Sequence, residues 1–426
     1  MIGKKIYKWI EDVFYFNRSL TGEGNKKTLN YLKIINKDII IKKIKSGTKV
    51  FDWKVPKEWS VKEAWVKDDK GKKIINFKKN NLHLVGYSKS VNKILTYKNL
   101  LKKIHTIKKI PSAIPYVTSY YNSDWGFCIS ENLKKRLNKK IKYHAYIDSK
   151  LDNGNLIFGE LFYKGKSKKE IFFSSNICHP SMANNELSGP MIQLALSNYV
   201  KKIKNRKYSY RFLFIPETIG SISYLSKNLS RCKKNIFAGF VLTCLGNNTK
   251  FSYLESRSGN TLADMIILKN FKSKKIDYKK FSFLERGSDE RQYCSPNIDL
   301  PVCSLMRLKY REYKEYHTSK DNLSFISAKG LQSSYQFIVD CINDLERQIR
   351  PESTVLCEPH LSKYNLYPKI SKVSGLSRQP SRDFINILAY SDSKNDITDI
   401  SKKIGLSYSN IISKIRILKK YKLIKY

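Results

Sequence analysis

A chain of 426 residues with 41% hydrophobic side chains is too long for one ordinary core and too apolar to be disordered, so two or three folded domains are expected. Its 81 Lys+Arg outnumber 36 Asp+Glu, a net charge of +45. The excess is mostly Lys, spread from end to end beside abundant Ile and Asn, the trio that AT-rich codons give, so it reads as composition before it reads as a nucleic-acid footprint. Eight cysteines without a CxxC pair argue against a disulfide scaffold. Glu11 and Asp12 interrupt what would be a signal sequence, and the apolar runs fall short of the ~20 residues of a membrane span. A soluble cytoplasmic protein with buried free thiols is the expectation.

The apolar spacing of Lys4 to Asn36 predicts two helices, with Thr21, Gly22 and Gly24 as turn and cap chemistry between them. From residue 39 to 123 the texture changes to short strand-like runs divided by turns, among them a hairpin whose turn reads Asp68, Asp69, Lys70 and Gly71. Four of the five tryptophans, Trp53, Trp59, Trp65 and Trp125, fall in or beside this region, where they either cover a crevice or form its core. It reads as an inserted small β-rich domain, since α/β patterning resumes only after it.

From Lys142 onward, two strand-like runs suggest a hairpin leading in. Strands and helices then alternate: strand 171–177, helix 187–204, strand 210–215, helix 221–229, strand 236–244, helix 261–270, strand 300–306 and helix 328–347. Apolar strands alternating with amphipathic helices predict an α/β fold with a mostly parallel, mixed sheet and helices on both faces. A Pro-spaced segment (Pro351, Pro359, Pro368, Pro380) reads as a linker. Residues 381–426 then show helix, Gly-containing turn and helix, with an end suited to a wing strand, which is a winged helix-turn-helix pattern. The expected boundaries are 1–38 with 124–350 for the main domain, 39–123 for the insert, 351–380 for the linker and 381–426 for the winged helix.

Two of the six histidines stand out. His179 follows the strand 171–177 and precedes a polar loop with Asn184, Asn185 and Glu186; His317 sits in EYHTSKDNL. Glu217 follows the strand 210–215, where it could also cap the next helix. Asp289 and Glu290 precede another strand, where pairing with Arg286 or Arg291 is the plain structural reading. Taken together, these side chains lie in loops after successive strands of one predicted sheet and can converge on one crevice. Histidine and carboxylate with a position left for water is the donor set of a hydrolytic zinc site.

The runs NICHPSMANNELSGP, FLFIPETIGS, GSDERQYCSP and EYHTSKDNL, in that order, resemble the aminopeptidase-like family whose members are often labelled polysaccharide biosynthesis proteins. RSLTGEGNKKTL and VFDWKVPKEW agree with it, so the resemblance spans nearly the whole chain. It implies a fold like that of zinc aminopeptidases and glutaminyl cyclases, with an inserted β-rich domain and a terminal winged helix. It also implies that His179 and His317 match the first and last metal histidines, Glu217 the general base, and Asp289 the Asp of an SDH-type motif. The chain departs from the pattern at Asn185, where a bridging Asp is expected with Glu186 beside it, at Thr218, where a metal-binding Glu is expected, and at Thr243–Gly246, where a further Asp is expected; Glu290 replaces a His.

Losing these carboxylates removes the charge that would offset two dications. One zinc held by His179, Glu186 and His317 is therefore expected, with Glu217 as base or fourth ligand. The resulting reading is a hydrolase acting on an amide bond of a small peptide or amino-sugar conjugate. The other reading is an inactive ligand-binding or regulatory protein whose winged helix binds DNA or protein. No Gly-rich phosphate loop is present.

Overall fold

The computed structural model describes residues 1–367 and 380–426. The chain forms two compact units, residues 1–341 and 342–426. The first is built on an eight-stranded sheet. Its strands in chain order are β1 (Ile40–Lys45), β2 (Asn155–Tyr163), β3 (Glu170–Asn176), β4 (Ser209–Ile215), β5 (Ile236–Leu242), β6 (Phe251–Leu254), β7 (Tyr278–Phe281) and β8 (Val302–Met306). Their order across the sheet is β1-β2-β4-β3-β5-β8-β6-β7. The four central strands run parallel, while β2 and β6 join them antiparallel. β3 and β4 are buried along their whole length, polar residues such as Ser174, Ser175 and Arg211 included, so neither shows the apolar–polar alternation of a strand with one wet face. The long helices Ser188–Lys202 and Ile219–Asn235 follow β3 and β4 and pack on the sheet.

Three expectations need correction. Lys142–Asp152 and β2 form no hairpin: Lys142–Asp152 lies between Glu58–Lys67 and Val91–Thr96 in a separate four-stranded sheet, while β2 pairs with β1 and β4. Ile40–Lys45, assigned to the insert, is an edge strand of the main sheet. The insert boundaries at 39 and 123 are thus crossed in both directions, because backbone pairing joins strands remote in sequence and local patterning cannot assign a strand to its sheet. The hairpin between Glu58–Lys67 and Lys73–Asn76 does form, with Asp68 N donating to Lys72 O and Gly71 at φ 79°.

The two N-terminal helices are Ile2–Val13 and Glu23–Ile35. Gly22 precedes the second at φ 100°, and a Cβ there would run into the Trp59 carbonyl oxygen. Gly22→Ala combines a left-handed backbone with that collision and is expected to cost more than about 1 kcal/mol, read as a lowered urea midpoint; an unchanged midpoint would show that the turn relaxes freely.

The third correction concerns the second unit, in which helices Pro380–Ala389, Ile397–Ile404 and Tyr408–Lys420 pack around Ile387, Ile400, Ile411, Ile415 and Leu418. Asp396 and Asp399 form a reciprocal cap at the start of Ile397–Ile404, and Gly405 at φ 66° ends that helix. The expected wing strand, Ile424–Lys425, pairs with Glu352–Ser353, and Leu361 joins the core. The segment expected as a linker from residue 351 is therefore built into this unit at least to Leu361, while Pro368 lies outside the described residues. Among the described residues no helix is long and apolar enough to cross a membrane.

Candidate metal centre

β3 ends at Asn176 and delivers Cys178 and His179, both buried. The chain then enters a wide helical turn, Ala183–Leu187, closed by Leu187 N donating to Met182 O at 3.2 Å. Such turns carry an extra residue and re-aim side chains. Here the turn directs the Glu186 carboxylate back toward His179. Glu186 Oε2 lies 2.6 Å from His179 Nδ1, and Oε1 accepts from the His179 amide at 2.9 Å and from the Cys178 amide.

The carboxylate thus stands behind the imidazole and fixes its tautomer, leaving Nε2 for the opposite side. Cys178 Sγ, His179 and Glu186 lie within 4.8 Å of one another, but these donors are already engaged: Nδ1 with Glu186, and Sγ with the Glu217 amide at 3.2 Å. Burial also pushes the Cys178 thiol up to about 12.

His179 Nε2 faces Glu217 Oε2 at 3.8 Å. The His317 ring lies 5.0 Å from the His179 ring, centroid to centroid, and Tyr116 meets both rings edge-on at 5.2 Å. His317 sits at φ 54°, and its Nε2 is buried without a hydrogen-bond partner. Burial first, then the charges of His179 and Arg311, hold this imidazole well below its ordinary range. Burial alone would lower His179 too, but Cys178 and Glu186 outweigh it and hold that ring well above its ordinary range. Burial raises Glu217, against the opposing pull of His179 and Arg291.

His179, Glu217 and His317 open onto one cavity of about 400 Å³, which Tyr116, Tyr120, Arg291 and Trp53 also line. Trp59, Trp65 and Trp125 are core residues, whereas Trp53 is 41% exposed and borders the cavity. Asp289 stands behind this wall: fully buried, it accepts from Thr218 N at 2.7 Å and Ser221 Oγ at 2.8 Å. Burial and the neighbouring Glu217 push it up to about 8. Neither Asp289 nor Glu290 pairs with Arg286 or Arg291; Glu290 instead holds the Gly287 and Ser288 amides, Ser304 and Tyr310.

Asn185 Nδ2 points to Cys244 Sγ at 3.7 Å. Its amide and that of Asn184 are held by Asp321 at 2.9 and 2.6 Å. Asp321 therefore ties the His179 loop to the His317 loop.

Residues 7–348 match a family model described as a domain of unknown function (DUF4910), and residues 349–426 match a winged helix-turn-helix model. The chain belongs to the DUF4910 family. A Clostridium acetobutylicum protein named for polysaccharide biosynthesis with an aminopeptidase-like domain is 41% identical to this DUF4910 chain, covering 96% of it and 93% of its own length. A crystal structure from the same organism, provisionally named a peptidase, superposes with a TM-score of 0.82 at 39% identity, covering 100% of this chain and 96% of its own. The zinc aminopeptidase BSAP from Bacillus subtilis shares the fold, with a TM-score of 0.58 at 13% identity, covering 80% of this chain and 94% of its own. The DUF4910 unit thus has an aminopeptidase-like fold, followed by a winged helix.

Three contributors to the DUF4910 site were not visible in the sequence. Arg18, 1% exposed, donates through Nε to the His179 carbonyl at 2.9 Å. Tyr116 comes from a loop far before His179 in the chain. Arg291, expected only as an ion-pair partner, lines the cavity. Their signal lies in contacts across long sequence separations, which spacing does not record.

Proposed function

We propose that this chain is a zinc-dependent, aminopeptidase-like hydrolase acting on an amide bond of a small peptide or amino-sugar conjugate. The observation that carries this reading is His317 Nε2: buried, unpartnered, and set beside His179 and Glu217 on one cavity. A buried nitrogen without a partner is costly unless something else uses its lone pair. Two imidazoles and one carboxylate are the protein donors of an open zinc site. His179, His317 and Glu217 would hold one ion, and Glu186 moves from the expected ligand role to that of orienting His179. Donors for a second ion are poor, since Asn185 and Thr218 stand where the resemblance expects carboxylates.

When bound, zinc would lower the pKa of its water and polarise the substrate carbonyl. The chain supplies the rest. Glu217 is the carboxylate among the residues lining the cavity, so it is the group that would complete the donor set beside the two imidazoles. Tyr116 and Tyr120, whose hydroxyls are 2.9 Å apart, wall the cavity against water. Asp289 holds the Glu217–Thr218 turn through the Thr218 amide.

Protein purified after metal-replete expression is expected to carry about one zinc per chain, and His317→Ala far less, by elemental analysis. Native protein free of zinc would overturn the reading.

The winged helix favours a nucleic-acid partner for the second unit. Residues 381–426 carry ten Lys/Arg against four Asp, a net of +6. On the helix Tyr408–Lys420, Ser409, Asn410, Ser413, Arg416 and Lys420 are exposed. Duplex DNA binding by the full chain is expected to weaken steeply as salt rises; a salt-independent isotherm, or none, would leave a protein partner as the role of this unit.

A further inference from the structure

The cavity wall holds one cation that the metal reading does not use. Arg291 makes a 2.5 Å hydrogen bond from Nη2 to Thr218 Oγ1, while its Nε is buried without a partner. Among the described residues no carboxylate forms an ion pair with it. Burying a guanidinium donor unsatisfied is unfavourable, and here the arrangement is actively maintained. Thr218 sits at φ 64°, a left-handed backbone unusual for a β-branched residue. Asp289 fixes that backbone through the Thr218 amide at 2.7 Å and Ser221 at 2.8 Å. The chain of contacts from Asp289 through Thr218 to Arg291 holds the guanidinium in the cavity wall.

We propose that Arg291 receives a carboxylate of the substrate, so that the cavity takes a small amide bearing a free carboxylate, of the dipeptide or N-acyl amino acid class. This deepens the hydrolase reading and rests on it. A guanidinium fork matches a planar carboxylate. Arg291 is the sole Lys or Arg among the lining residues and Glu217 shares the cavity, so a monoanion suits the local charge better than a phosphate dianion. The aromatic faces of Tyr116, Tyr120, Tyr121 and Trp53 leave room for the apolar remainder in a volume of about 400 Å³. If Arg291 only balanced the charges of Glu217 and Asp289, its loss would affect charged and neutral ligands alike.

The test compares alanyl-phenylalanine with its C-terminal amide on the full-length, zinc-loaded chain, by titration calorimetry or by KM where the ligand turns over. Native protein is expected to favour the free carboxylate by about tenfold or more. Arg291→Gln should erase that preference and Arg291→Lys keep part of it, with zinc content unchanged in both. Thr218→Val, which removes only the hydroxyl that holds the guanidinium, should reduce it. Equal binding of the two ligands by native protein, binding of neither, or a preference that survives Arg291→Gln would overturn the proposal. A carboxylate preference without hydrolysis of either ligand would support it while sinking the hydrolase reading.

Discussion

Glu170→Ala is expected to lower the stability of the first unit by about 3–5 kcal/mol. Glu170 opens β3 at the end opposite His179, with its side chain 2% exposed. Arg211 of β4 grips it through two nitrogens, Nε at 2.6 Å and Nη2 at 3.1 Å, and Arg231 adds a third contact at 3.2 Å. The same Arg211 reaches Glu160 of β2, which also pairs with Lys42 of β1 and accepts from Tyr224 at 2.9 Å. One guanidinium thus clamps three neighbouring strands. Removing Glu170 leaves Arg211 and Arg231 buried or half-buried without their main counter-charge, whereas exchanging the whole cluster for apolar residues could be neutral. Urea unfolding of Glu170→Ala checks this; a loss below about 1 kcal/mol would show that water reaches the site and screens it.

Glu186→Gln is expected to leave one zinc per chain at saturation while lowering its affinity by about 10- to 100-fold, the usual effect of losing a carboxylate that orients a ligating histidine. Glutamine keeps the shape and can still accept from the Cys178 and His179 amides, so folding should survive. It cannot hold the Nδ1 proton with a charged oxygen as Glu186 does at 2.6 Å. Competition with a chelator of known strength measures the shift. An unchanged affinity would mean that Glu186 does not position the imidazole, and a lost stoichiometry that it is a ligand after all.

The difference between those two roles marks how far the sequence could be read. His179, Glu217 and His317 were legible because each follows a strand of one sheet, and strand ends of a parallel sheet share an edge. Which nitrogen of His179 the Glu186 carboxylate would face was not, since it depends on the wide turn Ala183–Leu187 adding a residue to the helix. β6 and β7 escaped notice because each is four residues long. Ile40–Lys45 was assigned to the wrong sheet because a mostly exposed edge strand carries no mark of its partner. The winged helix was legible in its three helices and the turns between them, but not in Glu352–Ser353, a two-residue strand recognisable only from the Ile424–Lys425 pair it completes.

Tyr116 N donates to the His317 carbonyl at 2.8 Å, and two loop neighbours, Ile114 and Ser319, exchange hydrogen bonds at 3.0 and 2.8 Å. The aromatic wall of the cavity and the second imidazole are therefore one mechanical piece. On the proposed zinc reading, any coupling carried by this piece is reciprocal, so metal and ligand would change each other's affinity by the same factor. We expect that coupling to be favourable: a ligand would bind most tightly with the ion present, and the ion would leave most readily from an empty pocket.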